Sequence, residues 1–365
     1  MTDKKSKVRS KQSEVRAVSE LAMNPPFITG YPLEERIVLG HGAGGRKMHR
    51  LIRELFLASF GNQTLARLED GAVVQMPQGR LCLTTDSYVV QPLFFPGGDI
   101  GKLAVSGTIN DLAVMGAVPR FLALSLVLRE GLEKERLARV CRSIGRTAQS
   151  AGVTVVTGDT KVIEHGAEEE LYINTTGLGR VRPGVRLGAE RVRPGDVVLI
   201  NGPIGEHEAA IGVARGRFRF RAQLQSDCAP LHRLIAQLLK VGGIRLMRDP
   251  TRGGLATTLN EFAAATGLGF VIEEELLPIS KPVRGVAALL GLDPLYMANE
   301  GKVVVVAALG FENRLLKVMR QDAQGRQARR IGTVVRQPKG VWLKTRLGSL
   351  RPIIMLEGEQ LPRIC

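Results

Sequence analysis

The chain has 365 residues, 44% of them hydrophobic and 24% charged, with a formal net charge of +16. That length allows two domains with separate cores, and the composition is too apolar for a disordered protein. No apolar run approaches the ~20 residues of a membrane helix, and the basic N-terminus lacks the apolar core of a secretory signal, so a cytoplasmic protein is expected.

Residues 1–34 read as a flexible basic arm, with Lys4, Lys5, Lys7, Arg9 and Lys11 ahead of Pro25, Pro26 and Pro32. A short strand is expected at 35–39. The glycine turn Gly40-His41-Gly42-Ala43-Gly44-Gly45 follows, then a helix with Met48, Leu51, Ile52, Leu55 and Phe56 on one face. Strands are expected at 80–85, 121–128, 153–157 and 171–177, with helices at 99–116 and 133–151 between them. The turn signals Val181-Arg182-Pro183-Gly184 and Val192-Arg193-Pro194-Gly195 place a domain boundary near Pro183. Beyond it come strands at 196–201, 270–273 and 303–308 and helices at 229–241, 255–266, 283–290 and 312–322. The class is therefore α/β (α+β), with domains at 35–183 and 184–350 and a mobile tail at 351–365.

Cys82, Cys141, Cys228 and Cys365 form no CxxC pair and have no histidine at ligand spacing, which argues against a zinc site or a disulfide framework. The first three read as small core residues. The positive charge is spread over the arm, the arginines at 215–221 and those at 326–330, and reads as solvated surface rather than a nucleic-acid track.

Several segments carry chemistry-bearing residues. Gly40-x-Gly42-x-x-Gly45 has the form of a dinucleotide-binding turn, with Glu69 or Asp70 at the spacing of a ribose contact. It also nears a P-loop, with Arg46-Lys47-Met48 where Gly-Lys-Ser/Thr belongs. A plain helix-start turn, a phosphate contact and an NAD site stay open on this pattern alone. Four aspartates fall at or near element ends: Asp86, Asp111 beside Asn110, Asp159 in Gly158-Asp159-Thr160-Lys161, and Asp249 before Gly253 and Gly254. Alone, each is a residue type that caps helices and turns. Together they offer the oxygens that Mg²⁺ takes alongside phosphates. Before an apolar strand, Asn299 and Glu300 could hold a ligand and act as a base, or belong to a plain loop. Cys365 is the last residue, and a thiolate on a free tail is a nucleophile able to reach a distant pocket.

These segments together resemble the HypE family of hydrogenase maturation proteins. The likeness runs from about Ile37 to Cys365. It is carried by Thr84-Thr85-Asp86-Ser87, the stretch 94–102, Asn110-Asp111, Val156–Lys161, Ser226-Asp227-Cys228, Met247–Leu255, Leu292–Lys302 and the closing Pro362-Arg363-Ile364-Cys365. Gly205-Glu206-His207-Glu208 stands where the family usually reads Asp-His-Gly-Ala.

The family belongs to the superfamily of aminoimidazole ribonucleotide synthetase and selenophosphate synthetase. The resemblance implies two α/β domains and a homodimer through the first sheet, with ATP at that interface. It implies ATP-dependent dehydration of a carboxamide on Cys365 to a thiocyanate, which supplies the cyanide ligand of [NiFe]-hydrogenase iron. HypF would be the carbamoyl donor and the HypC–HypD complex the acceptor. Mg²⁺ would sit on Asp86, Asp111, Asp159 and Asp249, with Lys161 near the phosphates and Glu300 as the base. Gly42, Gly44, Gly45, Lys102, Asn110, Gly158, Thr160 and Asn299 would hold the nucleotide. Competing readings are a ligase or kinase of the same superfamily acting on a free small molecule, a basic nucleic-acid-binding protein and, weakest, a dehydrogenase.

Overall fold

The computed structural model describes residues 35–42, 46–67, 79–164, 166, 169–216, 224–355 and 364. The arm at 1–34, Gly44, Gly45, Glu69, Asp70 and Cys365 lie outside them.

The first sheet has four strands in the order β1-β6-β4-β5: β1 Leu81–Tyr88, β4 Ala117–Arg129, β5 Thr154–Ile163 and β6 Leu171–Val181. A two-stranded ribbon, β2 Phe94–Phe95 and β3 Gly98–Asp99, leads into the helices. The chain enters through α1, which spans 46–60 with a π-helical centre at Ile52–Leu57. The expected strand at 35–39 makes only a single bridge, Arg36 to Glu133, and Leu39–Gly42 winds into a 3₁₀ turn beside β5.

Two helices cover one face of the sheet. The first, α2 Ile100–Val114, is capped by Asp99, whose carboxylate accepts from the Gly101 and Lys102 N–H groups. It is apolar nearly all round because it lies between the two halves of the molecule. The second, α3 Lys134–Ala151, buries one stripe: Leu137, Val140, Cys141, Ile144 and Ala148. The other sheet face is uncovered. There β1 presents Leu81 and Leu83, which are 53% and 70% exposed.

The second sheet has seven strands in the order β13-β12-β9-β11-β7-β10-β8. These are β7 Val197–Ile200, β8 Ile244–Arg248, β9 Gly269–Glu273, β10 Val304–Ala307, β11 Arg329–Val335, β12 Gly340–Lys344 and β13 Leu350–Pro352. Its helices are α4 Glu206–Ala214, α5 His232–Val241, α6 Gly254–Thr266, α7 Lys281–Leu290 and α8 Glu312–Gln321.

The strands β7 and β10 are buried throughout because both faces are covered. Val197, Leu199, Val305 and Ala307 join Leu234 and Leu238 of α5, Leu315 and Met319 of α8, and Ala113 and Val114 of α2. Val198, Ile200, Val304 and Val306 join Leu255, Leu259 and Phe262 of α6. The first core likewise takes in Ile211, Cys228, Ala298 and Ile364 from the second half, so the halves share apolar packing along a seam.

Of the mobile tail expected at 351–365, the described residues are 351–355 and 364. Arg351 and Pro352 pair with β12, Ile353 donates to Val341 O, and Tyr296 donates to Ile354 O at 2.7 Å. Ile364 is buried in the first core.

Candidate active site

An acidic cleft opens at the seam, enclosing about 320 Å³, part of it open to solvent. Strand alternation turns Thr84, Asp86 and Tyr88 of β1 towards α2. From α2, Gly107 and Asp111 face them one turn apart. Thr84 Oγ1 donates to Asp111 Oδ2 at 2.8 Å. Gly107 lets Tyr88 lie against the helix, since a Cβ there would be 2.2 Å from the Tyr88 hydroxyl oxygen.

The second half supplies Asp249 after β8 and Glu300 from the loop before β10. The turn into α6 packs tightly on that loop. Gly254 has φ +60°, and a Cβ there would come within 2.6 Å of Met297 O.

Burial and neighbouring carboxylates raise three of these groups. Burial pushes Asp249 up to about 7, aided by Asp111 and Asp86. Burial also raises Asp111, against the Thr84 hydrogen bond. Glu300 is held well above the usual carboxylate range by burial, then by Asp227, Asp249, Asp86 and Asp111. The single cation within ion-pair reach of Asp86 among the described residues is the exposed Arg252, at 3.8 Å.

Such a set invites a cation. Among the described residues no three His, Cys, Asp or Glu side chains stand close enough to hold a metal ion by themselves. Mg²⁺ needs fewer: it takes one or two carboxylates and completes its shell with water and phosphate oxygens. Asp86, Asp111 and Asp249 fit that role.

The AIR synthase related protein N-terminal domain model matches residues 68–181, and the C-terminal domain model matches 193–343. Carbamoyl dehydratase HypE of Cupriavidus necator is 49% identical over 333 residues, covering 90% of this chain and 95% of that protein. The chain belongs to the HypE family. A crystal structure of HypE in complex with ATP superposes with a TM-score of 0.86 at 45% identity, covering 90% of this chain and 99% of that one. A crystal structure of a HypE–HypF complex matches with a TM-score of 0.74 at 42% identity, covering 84% and 99%.

The residues that the HypE resemblance marks divide into three groups. Asp86, Asp111, Asp249 and Glu300 share the cleft. Asp159 does not join them. In register, Asp86 lies opposite Thr175, Thr175 opposite Leu124, and Leu124 opposite Gly158. Asp159 is therefore three strands away, ~14 Å at the usual strand spacing, and its side chain points to the opposite face. Lys161 shares that open face, while Thr160 is buried on the helix side. Gly158 fits a backbone need as well, since a Cβ there would meet Leu124 O at 2.3 Å. Gly42 ends the turn beside this strand.

The third group is committed elsewhere. Asn110 donates to Ala229 O at 3.1 Å and accepts from Leu231 N at 2.7 Å, fastening α2 to the second half. Asn299 donates to Pro250 O and Met297 O and accepts from Gly205 N. Both amides serve as backbone clamps. Lys102 Nζ donates to Gly97 O at 2.8 Å.

Sequence reasoning did not single out Asp227 and Lys302 individually. Asp227 accepts from Glu300 N at 3.1 Å and Gly301 N at 2.9 Å, and Lys302 Nζ lies 2.9 Å from its Oδ2. This buried pair holds the loop that presents Glu300. Both residues fall inside the resemblance segments, which was the available signal.

Proposed function

We propose that this HypE-family chain uses ATP to dehydrate a carboxamide carried on the sulfur of its own Cys365. The observation that carries the reading is the burial of Ile364, one residue before Cys365, in the seam that also holds the carboxylate cleft. The tail is thereby substrate as well as protein, and proximity replaces diffusional binding.

An amide oxygen is a poor leaving group. Phosphorylation of that oxygen turns it into phosphate, and loss of phosphate with the two nitrogen protons leaves S–C≡N. The oxygen removed ends in inorganic phosphate. Glu300, with its raised proton affinity, accepts a nitrogen proton. Tyr88 and the walls of the seam limit water around it. Asp86, Asp111 and Asp249 would hold Mg²⁺, which supplies charge neutralisation on the transferring phosphoryl group.

The uncovered face of the first sheet, with its exposed Leu81 and Leu83, is the proposed homodimer surface. A second copy there is the proposed means by which the β5 group, Gly42, Gly158, Asp159, Thr160 and Lys161, serves the same nucleotide as an acidic cleft. HypF is the proposed carbamoyl donor, supported by a relative crystallised with it. The HypC–HypD complex is the proposed acceptor of the nitrile. No helix among the described residues is long and apolar enough to cross a membrane. The cytoplasm stays the proposed compartment on the sequence grounds above.

Intact mass tests this reading. Carbamoylated protein should lose one water on addition of ATP and Mg²⁺, and Cys365→Ala should neither carry the carbamoyl group nor show the loss. Unchanged ATP turnover on a small amide after removal of the last four residues would instead favour a free substrate.

A further inference from the structure

The chemistry above leaves His207 without a task. It sits in the first turn of α4, wholly buried. Its Nδ1 lies 2.8 Å from Ser226 Oγ, and its Nε2 lies 2.6 Å from the carbonyl oxygen of Ile364. A carbonyl only accepts, so Nε2 carries the proton and donates it. Nδ1 is then the acceptor and takes the Ser226 hydroxyl proton. Ser226 Oγ accepts in turn from Cys228 N–H at 3.0 Å. Every direction in the relay is fixed, and it ends on the last peptide carbonyl of the chain. Burial lowers the proton affinity of the imidazole, against the pull of Asp227 and of the Ile364 carbonyl, which suits the neutral form this relay needs.

Both halves build the surroundings. Phe95 packs edge-on against the imidazole, with centroids 5.5 Å apart. Ser226 N–H donates to Pro96 O at 2.8 Å. Gly97, at φ +94°, comes so near that a Cβ would lie 2.6 Å from Ser226 O. The side chain of Ile364 is buried in the adjoining core. Polar and apolar contacts thus converge on one residue of the tail.

We propose that His207 is a positioning residue for the C-terminal tail: with Ser226 it forms an internal latch that grips the Ile364 carbonyl and fixes the root of Cys365 at the seam. Successive Cα atoms are about 3.8 Å apart, so a held Ile364 carbonyl leaves the terminal residue little beyond its own torsions to search. The catalytic meaning of the latch rests on Cys365 being the modified residue. Its existence does not, and the test separates the two.

The first readout is alkylation of the full-length protein by iodoacetamide, with Cys365 followed by peptide mass. Losing one buried hydrogen bond of this kind shifts an equilibrium by about tenfold, so His207→Met should label at Cys365 about tenfold faster than the unaltered protein. His207→Gln, whose amide nitrogen reaches towards the place of Nε2, should restore most of the protection. Ser226→Ala, which keeps the imidazole but removes the group that sets its tautomer, should label at an intermediate rate. It keeps the test open if His207→Met does not fold. Equal labelling of the folded proteins would overturn the latch. In carbamoylated protein, His207→Met should lower kcat for dehydration with KM for ATP unchanged, and a change in KM alone would also contradict tail positioning. If labelling follows this order but the unaltered protein performs no dehydration, the latch stands and the catalytic reading falls.

Discussion

Two acidic groups flank the loop 297–302, and the fold treats them in opposite ways. The Asp227 side chain is almost wholly buried, which by itself raises its pKa, yet Lys302 and two backbone N–H groups hold it below the ordinary aspartate range. Burial likewise works against the charge on Lys302, and Asp227 and Glu206 outweigh it and raise its pKa. Two residues earlier, the charges that act most on Glu300 are those of other carboxylates. Asp249, as deeply placed as Asp227, is pushed up to about 7 where Asp227 is pulled down. A chain that can pair a buried carboxylate so fully has no structural reason to gather Asp86, Asp111, Asp249 and Glu300 in one cleft. The paired group holds the loop, and on the reading proposed above the uncompensated group is kept for a ligand that brings positive charge.

The comparison breaks first at the paired group. Removing one partner strands the other, so Asp227→Asn or Lys302→Met should lower unfolding free energy by about 3–5 kcal/mol in denaturant titrations. The folded Asp227 pKa lies below the unfolded one. Its contribution is therefore complete above the ordinary aspartate value and fades as pH falls through the depressed value, and Asp227→Asn should lack that acid-side loss. The uncompensated group should respond with the opposite sign. In EDTA, Asp249→Asn should raise stability, on the order of 1–3 kcal/mol at pH 8, since each pKa unit is worth about 1.4 kcal/mol. The same variant should lose the stabilisation by Mg²⁺ and a non-hydrolysable ATP analogue, about 2.7 kcal/mol in unaltered protein at a hundred times Kd. A smaller effect sharpens the distinction between clamp and ligand contact. Asn110→Ala should cost about 1–2 kcal/mol of stability and leave the KM for ATP close to that of the unaltered protein.

Much of the architecture was legible where apolar periodicity is strong. The α3 helix follows from it, while α2, β7 and β10 follow from unbroken apolar runs. β11 was not, because it opens on Arg329 and Arg330 and contains Gly332, where a Cβ would meet Val271 O at 2.4 Å. β8 was hidden by Arg245 and Arg248. In the site, carboxylates at or near element ends pointed to Asp86, Asp111 and Asp249, and the loop before an apolar strand to Glu300, all of which the structure gathers in one cleft. Asp159 lies on the other sheet face because a one-residue change of strand phase moves a side chain there, and phase is not written in a single aspartate. Asn110 and Asn299 show the same gap: sequence reveals a donor and an acceptor, not that both are already engaged. The pairing of Asp227 with Lys302 and of His207 with Ile364 joins positions far apart in the chain, where no local spacing rule operates.

The most direct test is Glu300→Gln, with dehydration and stability measured on the same carbamoylated sample. Loss of a general base slows a reaction by roughly 10²–10⁴. The account predicts that the variant keeps its carbamoyl mass in ATP and Mg²⁺ on the time scale over which unaltered protein sheds one water, while its unfolding free energy is unchanged or higher. Water loss at the unaltered rate, or a variant destabilised as much as Asp227→Asn, would contradict it.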